Sequence, residues 1–422
     1  MSLKRRTLAR RLVFMLVFAT LAAIGFTVAL LAVALQALTP EPDEWRTSIR
    51  IGPWQRELSV PGLIRWAAHP LAAPLLQGRN LDTRWGRWHV LRAGAQLQAV
   101  CAPCRVQLPA LGTTPLQLSN AQLLAQHEGA GRFVGTLSLL LDGAHRAEVS
   151  FAAQLRHGGA DVRLSMPATP MASLVAVFGH DLPEAATVRV TGTLAFVATA
   201  RWPEGSWQAK PVVSDFSVAG LGTERLLSAE LPPACRASAG DAAPLTGWLP
   251  RALVAAEDAR FYEHPGYEID QLLAALAHNQ ADGAPLRGGS TLTQQLAKLT
   301  LTGDDRSAAR KLRELLYAVE MERTLGKARI LQMVLALAPW GDGICGAERA
   351  AQVYLGKSAS KIGPVSAAWL VSLLRNPDAQ LRHYGQAREI DRDRVRQILA
   401  GMRPMTAAQR ALANEQVAQW LP

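Results

Sequence analysis

VAAEDARFYEHPG at residues 254–266, GGSTLTQQLAK at 288–298 and RKLRE at 310–314 are three polar clusters set in apolar, helix-patterned sequence. Around the third, Leu312, Leu315, Leu316 and Val319 recur at the spacing of one helix face, while Arg310, Glu314 and Ala318 form a second stripe flanked by Lys311. Taken alone, Arg310 and Glu314 are an i,i+4 ion pair worth about 0.3 kcal/mol. Glu257 follows Leu253-Val254-Ala255-Ala256, so its carboxylate emerges from an apolar helix. Burial there raises a carboxyl pKa toward neutrality, as a general base needs. The plainer alternative is a solvated glutamate at a helix end, paired with Arg260. Ser290 and Thr291 follow Gly288-Gly289 at a helix start, where free N–H groups and a partial positive charge attract phosphate oxygens. An ordinary serine cap after a glycine turn has the same sequence. Gln294 and Lys298 share a helix face, as do Gln295 and Lys298, and a solvated polar face explains that spacing equally well.

Working outward, helical periodicity predicts helices over 249–258, 271–280, 290–301, 307–324, 328–337, 347–354, 364–374 and 390–402, with almost no strand pattern among them. Residues 247–422 are therefore expected to be all or nearly all helical. Residues 232–246, rich in Pro, Ala, Gly and Ser, read as a linker. Residues 39–231 have a different period. Stretches 88–92, 96–100, 133–139, 147–151 and 187–197 alternate or nearly alternate, and Asp142-Gly143 and Gly158-Gly159 are turn dipeptides, which predicts antiparallel sheet with one short helix near 171–178. The scattered His89, His127, His145 and His157 form no catalytic constellation.

Taken in order, the three clusters resemble the family 51 glycosyltransferases, the peptidoglycan glycosyltransferases, whose pattern is EDxxFxxHxG, then GGSTxTQQxxK, then RKxxE. The resemblance covers roughly residues 244–412. It implies a lysozyme-like helical fold and polymerisation of lipid II by inverting transfer, with release of undecaprenyl diphosphate. Carried over position by position, it makes Glu257 the catalytic base and Glu314 a second catalytic acid residue, acting by positioning the leaving group or through a divalent metal such as Mg2+. No cofactor is obligatory. Ser290, Thr291, Gln294, Gln295, Lys298, Arg310 and Lys311 then bind the sugar-diphosphate, His264 orders its loop, and Glu320 is structural. The chain departs from the family pattern at Leu299, Gly326, Ala336 and Ser366, positions outside this chemical set. These departures motivate a second reading, a non-catalytic paralogue that binds lipid II or envelope partners. A third is a lysozyme-like glycan hydrolase. No penicillin-binding Ser-x-x-Lys set follows, so no transpeptidase domain is expected. The strand phrases VGTL at 134–137 and VTGTL at 190–194 resemble the repeated strands of AsmA-type envelope proteins; a generic sheet that spaces the catalytic part from the bilayer or docks other cell-wall synthesis proteins fits as well.

Charge and hydropathy agree with a membrane substrate. The 422 residues carry a formal charge of +11 and are 49% hydrophobic. Neither zinc-finger spacing nor a basic patch interleaved with aromatics is present, so nucleic acid is not the expected partner. Residues 12–35 contain no charge and are long enough, at about 1.5 Å per residue, to cross a ~30 Å hydrocarbon layer. Lys4, Arg5, Arg6, Arg10 and Arg11 precede them and Glu41, Asp43 and Glu44 follow, which predicts a single-pass anchor within 1–38, its N-terminus cytoplasmic and its bulk in the periplasm; a cleaved signal peptide is the alternative. The expected architecture is thus a multidomain α+β chain: anchor, β-rich middle and helical glycosyltransferase part. Cys101-Ala102-Pro103-Cys104 is expected to close a hairpin turn as a disulfide rather than to act in redox chemistry, and Cys235 and Cys345 are available to pair.

Overall fold

The computed structural model describes residues 38–51, 54–69, 77–83, 86–93, 96–106, 116–140, 146–179, 182–232, 235, 245–271, 289–304, 307–387 and 389–422. The expected anchor at 12–35, all but the first residue of the helix at 271–280, the Asp142-Gly143 turn, Gly288 and most of the 232–246 linker lie outside the described residues. Among the described residues no helix is long and apolar enough to cross a membrane.

The first half is β-rich. A hairpin of β1 (Arg46–Ile51) and β2 (Trp54–Ser59) leads into α1 (Val60–Ala68), which Ser59 caps by accepting the Gly62 N–H at 2.9 Å. A ten-stranded antiparallel sheet follows. Its strands are β3 (Asn80–Thr83), β4 (Gly86–Ala93), β5 (Gln96–Val106), β6 (Leu116–Leu118), β7 (Asn120–Gly129), β8 (Arg132–Leu140), β9 (Arg146–Leu155), β10 (Ala160–Pro170), β11 (Arg189–Trp202) and β12 (Ser206–Ala219). Apart from the β5–β7 pair, neighbours in space are neighbours in sequence, in the order β12-β11-β10-β9-β8-β7-β5-β4-β3 with β6 paired to β5. Such a meander needs only short connections. Gly158-Gly159 turns β9 into β10 as its sequence predicts. The helix expected near 171–178 is α2 (Met171–Gly179), whose Met171 and Leu174 pack with Met166 and Ala147 against one face of the sheet.

The CxxC segment corrects one expectation. Cys101 and Cys104 are disulfide-bonded, but both lie inside β5, opposite Trp88 and Gly86 of β4, and not in a turn. The disulfide, 0–1% exposed, is the centre of a small apolar cluster with Leu118, Ala121 and Val177.

The second half is helical: α3 (Trp248–Glu257), α4 (Leu292–Ala297), α5 (Ala308–Thr324), α6 (Gly326–Leu337), α7 (Ala347–Leu355), α8 (Pro364–Ser372), α9 (Pro377–Ala387), α10 (Arg392–Gly401) and α11 (Ala407–Gln419). Its described residues contain no strand, only an isolated bridge between Pro339 and Cys345. The core lies around α8, where Ala367, Ala368, Trp369, Leu370 and Val371 are buried all round and touch α3 and α10. Cys235 and Cys345 do pair, fastening residue 235 to the connection between α6 and α7. The two halves share apolar contacts: Val175, Leu182, Val218, Leu221 and Leu226 belong to the same buried cluster as the helices.

Candidate active site

Glu257 is the last residue of α3, whose buried Leu249, Ala252 and Leu253 fix it against the core. The helix ends there because Asp258 leaves helical geometry (φ −159°, ψ 73°) and turns its carboxylate inward. Asp258 is 4% exposed. It lies 2.9 and 3.0 Å from Nε2 of His264 and accepts the Leu292 N–H at 2.9 Å. The Gly266 N–H donates to Nδ1 of His264 at 3.1 Å, so Nδ1 holds the lone pair and Nε2 the proton given to Asp258. His264 therefore orders the loop. Gly266 has φ +92°, and a Cβ there would lie 2.8 Å from the Ala318 carbonyl oxygen of α5, which explains the glycine. Lys327 closes the loop from α6, donating to the His264 carbonyl at 2.7 Å with its ammonium 4.5 Å from the centre of the buried Phe261 ring.

The second cluster docks on the first. Thr291 caps α4, accepting the Gln294 N–H at 3.2 Å while Gln294 Oε1 accepts the Thr291 N–H at 3.0 Å. The Thr291 hydroxyl also donates to the Gly266 carbonyl at 2.7 Å. The N–H groups of Thr291, Leu292 and Gln294 already have partners, and Thr291 is 3% exposed. Gln295, one position on, faces the first cluster: its Nε2 donates to Oε2 of Glu257 at 3.2 Å across 38 residues of sequence. Glu257 is half-buried and bonded to this amide, and the alternative partner Arg260 instead pairs with the buried Glu268. After α4 the chain widens into one π-helical turn, Lys298–Thr302. Insertions of this kind recur at functional sites. Lys298 begins it, 43% exposed at its side chain and 2.8 Å from Asp304. That contact holds the Asp304 carboxyl below its ordinary pKa.

The third cluster is the most buried. Ser307 caps α5 by accepting the Arg310 N–H at 3.1 Å. Glu314, 1% exposed, has one oxygen bonded to Arg310 and the other 2.7 Å from Nζ of Lys311. Lys311 also donates to the Ser290 hydroxyl at 2.8 Å, which joins the third cluster to the second. The polar stripe thus sits deeper than Leu312 and Leu315 of the apolar one, which are only half-buried. Burial, and then the charges of Arg310 and Lys298, push the Lys311 pKa down to about 8. One carboxylate, Glu314, is shared by two cations, so the cluster keeps an excess of positive charge suited to an anion.

The same arrangement bears on the expected metal. Among the described residues no three of His, Cys, Asp and Glu gather as a metal-ligand set. Both Glu314 oxygens already face cations, and a divalent ion there would meet Arg310 and Lys311 as neighbours. The residues present do not fit a metal at Glu314. Asp258, to which sequence reading gave no role, is the residue that ties two clusters together; its signal was the acid next to Glu257 and the His264 six positions on. An open groove of about 700 Å³ lies elsewhere, on the sheet, beside Arg132, Gln154, Asp161, Arg163 and Arg201. It contains none of the three clusters.

Comparison with known proteins places the same stretch. The transglycosylase family model matches residues 237–403. A biosynthetic peptidoglycan transglycosylase from Azoarcus sp. (strain BH72) is 43% identical over 148 residues, 35% of this chain and 64% of that protein. Proteins of the same name from Bordetella avium (45% identical over 139 residues, 32% of this chain and 58% of the relative) and Alcanivorax borkumensis (41% over 134, 32% and 55%) are similarly related. The chain thus spans less than two thirds of the length of these curated relatives, and the β-rich half lies outside the family match. The stretch that matches the transglycosylase family model, residues 237–403, is the one that holds all three clusters.

Proposed function

We propose that this chain is a monofunctional peptidoglycan glycosyltransferase that polymerises lipid II. The acceptor hydroxyl, the GlcNAc 4-hydroxyl of lipid II, attacks the anomeric carbon of the donor glycan held on undecaprenyl diphosphate. One C–O bond forms as the bond to the diphosphate breaks, with inversion, and Glu257 takes the hydroxyl proton. Gln295 orients the Glu257 carboxylate. Lys298, Arg310 and Lys311 neutralise the departing diphosphate, a charge that develops in the transition state and is best met by preorganised cations. Glu314 holds Arg310 and Lys311 in place. The single observation that carries this reading is the bond between Glu257 and Gln295, which sets the base beside the helix leading to Lys298. Hydrolysis by a lysozyme-like route needs a second carboxyl free to act at the sugar, and Glu314 is bonded to two cations.

The substrates live in a bilayer, so residues 12–35 serve as the anchor, with the remainder on the periplasmic side of the bacterial inner membrane. Two disulfides among the four cysteines support an oxidising compartment. The test is the purified full chain with lipid II in detergent. Long glycan from the wild type and a loss of about 10²- to 10⁴-fold in Glu257→Gln are expected. Lipid II binding with no glycan product would overturn the assignment in favour of a non-catalytic binder.

A further inference from the structure

One stripe of α5 is unused by this chemistry. Arg313, Tyr317, Glu320 and Thr324 follow one another at helical spacing, directly beside the stripe of Arg310 and Glu314, and each bonds to the β-rich half. Arg313 Nε donates to both oxygens of Glu184, at 2.8 and 3.0 Å, and the Tyr317 hydroxyl donates to the same carboxylate at 3.0 Å. Glu320, 2% exposed, accepts the N–H groups of Gly220 at 3.0 Å and Leu221 at 3.0 and 3.2 Å. Thr324 and Thr223 join hydroxyls at 2.7 Å. Glu184 lies in the turn after α2 and is 8% exposed. Burial works to raise its pKa, but the bonds from Arg313, from its own backbone and from Tyr317 together outweigh it and hold the carboxyl below its ordinary value. At the end of α2, a Cβ on Gly179 would lie 3.1 Å from a methyl carbon of Leu312, so helix and turn sit tightly against α5.

Arg313 also reaches a third element. Its Nη2 donates to the carbonyl of Leu301 at 3.5 Å, within the π-helical turn that Lys298 begins. One guanidinium therefore touches the β-rich half, the helix bearing Arg310 and Lys311, and the segment bearing Lys298. Two donors one turn apart on a single carboxylate fix the rotation of α5 about its axis, and the third contact fixes its distance from the turn.

We propose that Glu184 is a positioning residue of the transfer reaction, acting through Arg313 to set the separation between Lys298 and the Arg310–Lys311 pair. The β-rich half is then part of what holds the diphosphate cradle at its working width. This rests on the reading of the site as a lipid-diphosphate glycosyltransferase.

The test is steady-state kinetics of the full chain in detergent with lipid II, comparing wild type, Glu184→Gln, Arg313→Lys and the double variant, with the folded fraction of each measured by circular dichroism. Positioning predicts a KM for lipid II raised about 10-fold or more in each single variant, and a double variant no worse than either alone. Loss of folded protein alone lowers apparent kcat and leaves KM unchanged, and that outcome would overturn the proposal. Additive losses in the double variant would overturn it as well. If Glu184→Gln fails to fold, Arg313→Lys, which keeps the charge and the stem but loses the fork, carries the test. An active wild type, an inactive Glu257→Gln and an unchanged KM in Arg313→Lys would sink the positioning role and leave the activity standing; a wild type that makes no glycan sinks both.

Discussion

The Leu292 N–H donates to the Asp258 carboxylate at 2.9 Å across 34 residues of sequence, and the same carboxylate is bonded to His264. This contact sets Glu257, immediately before Asp258, against the helix that carries Gln295. Asp258→Asn removes the charge and one acceptor oxygen while leaving Leu292 and His264 buried donors. Stability should fall by about 1–3 kcal/mol, together with kcat/KM. Urea unfolding followed by circular dichroism checks it; an unchanged midpoint with unchanged activity would show that the contact contributes nothing.

The helices around the core were legible because their apolar residues recur at helical spacing: the predicted 307–324 is α5 at Ala308–Thr324, and 347–354 is α7 at Ala347–Leu355. In the helical half, two of the described helices escaped that reading. α11 buries only Ala413 and Val417, too few to form a stripe, although the Thr406–Gln409 capping box was a usable signal. α9 is polar over most of its length. In the sheet, β12 carries Pro211 in mid-strand and the apolar Val212 on its exposed face, which blurs alternation in the sequence; the strand lies at the sheet edge, where proline is tolerated. The clusters of the site were visible as motifs, but their mutual contacts were not. Glu184 and Arg313 are 129 residues apart, and no local spacing marks such a pair.

Lys311 gives the site a pH limit. Its pKa is pushed down to about 8, so the charge is present below that pH and is lost as pH rises through it. An anionic diphosphate is held less well once the ammonium deprotonates. In the free enzyme, kcat/KM should decline as pH rises through about 8. Lys311→Arg keeps its charge throughout and should remove that alkaline limb, whatever it does to the plateau. A pH–rate profile of both proteins is the measurement; the same limb in Lys311→Arg would assign it to another group.

Gly266 is held in place by the back of α5. Its φ of +92° and the 2.8 Å approach of the Ala318 carbonyl leave no room for a methyl group. Gly266→Ala should cost about 1–3 kcal/mol through backbone strain and should loosen the bond from Gly266 N–H to His264, so that activity falls with it. A thermal melt and a lipid II assay on one preparation test this. Wild-type values in both would mean that the loop relaxes freely.

The Cys235–Cys345 disulfide closes a sequence separation of 110 residues that contains all three clusters of the site. A covalent tie over a loop of this length limits the freedom of the unfolded chain, by about 4–5 kcal/mol in the chain-entropy account. Replacing both cysteines by serine should lower the melting temperature while leaving KM for lipid II close to wild type, because neither sulfur touches the polar clusters. The short Cys101–Cys104 link encloses too little chain to act in that way, and its double serine variant should lose less stability. Differential scanning calorimetry of the two double variants separates them. If the Cys101 and Cys104 pair proved the costlier to lose, the packing of that disulfide against Leu118 and Ala121, and not chain entropy, would be its main contribution.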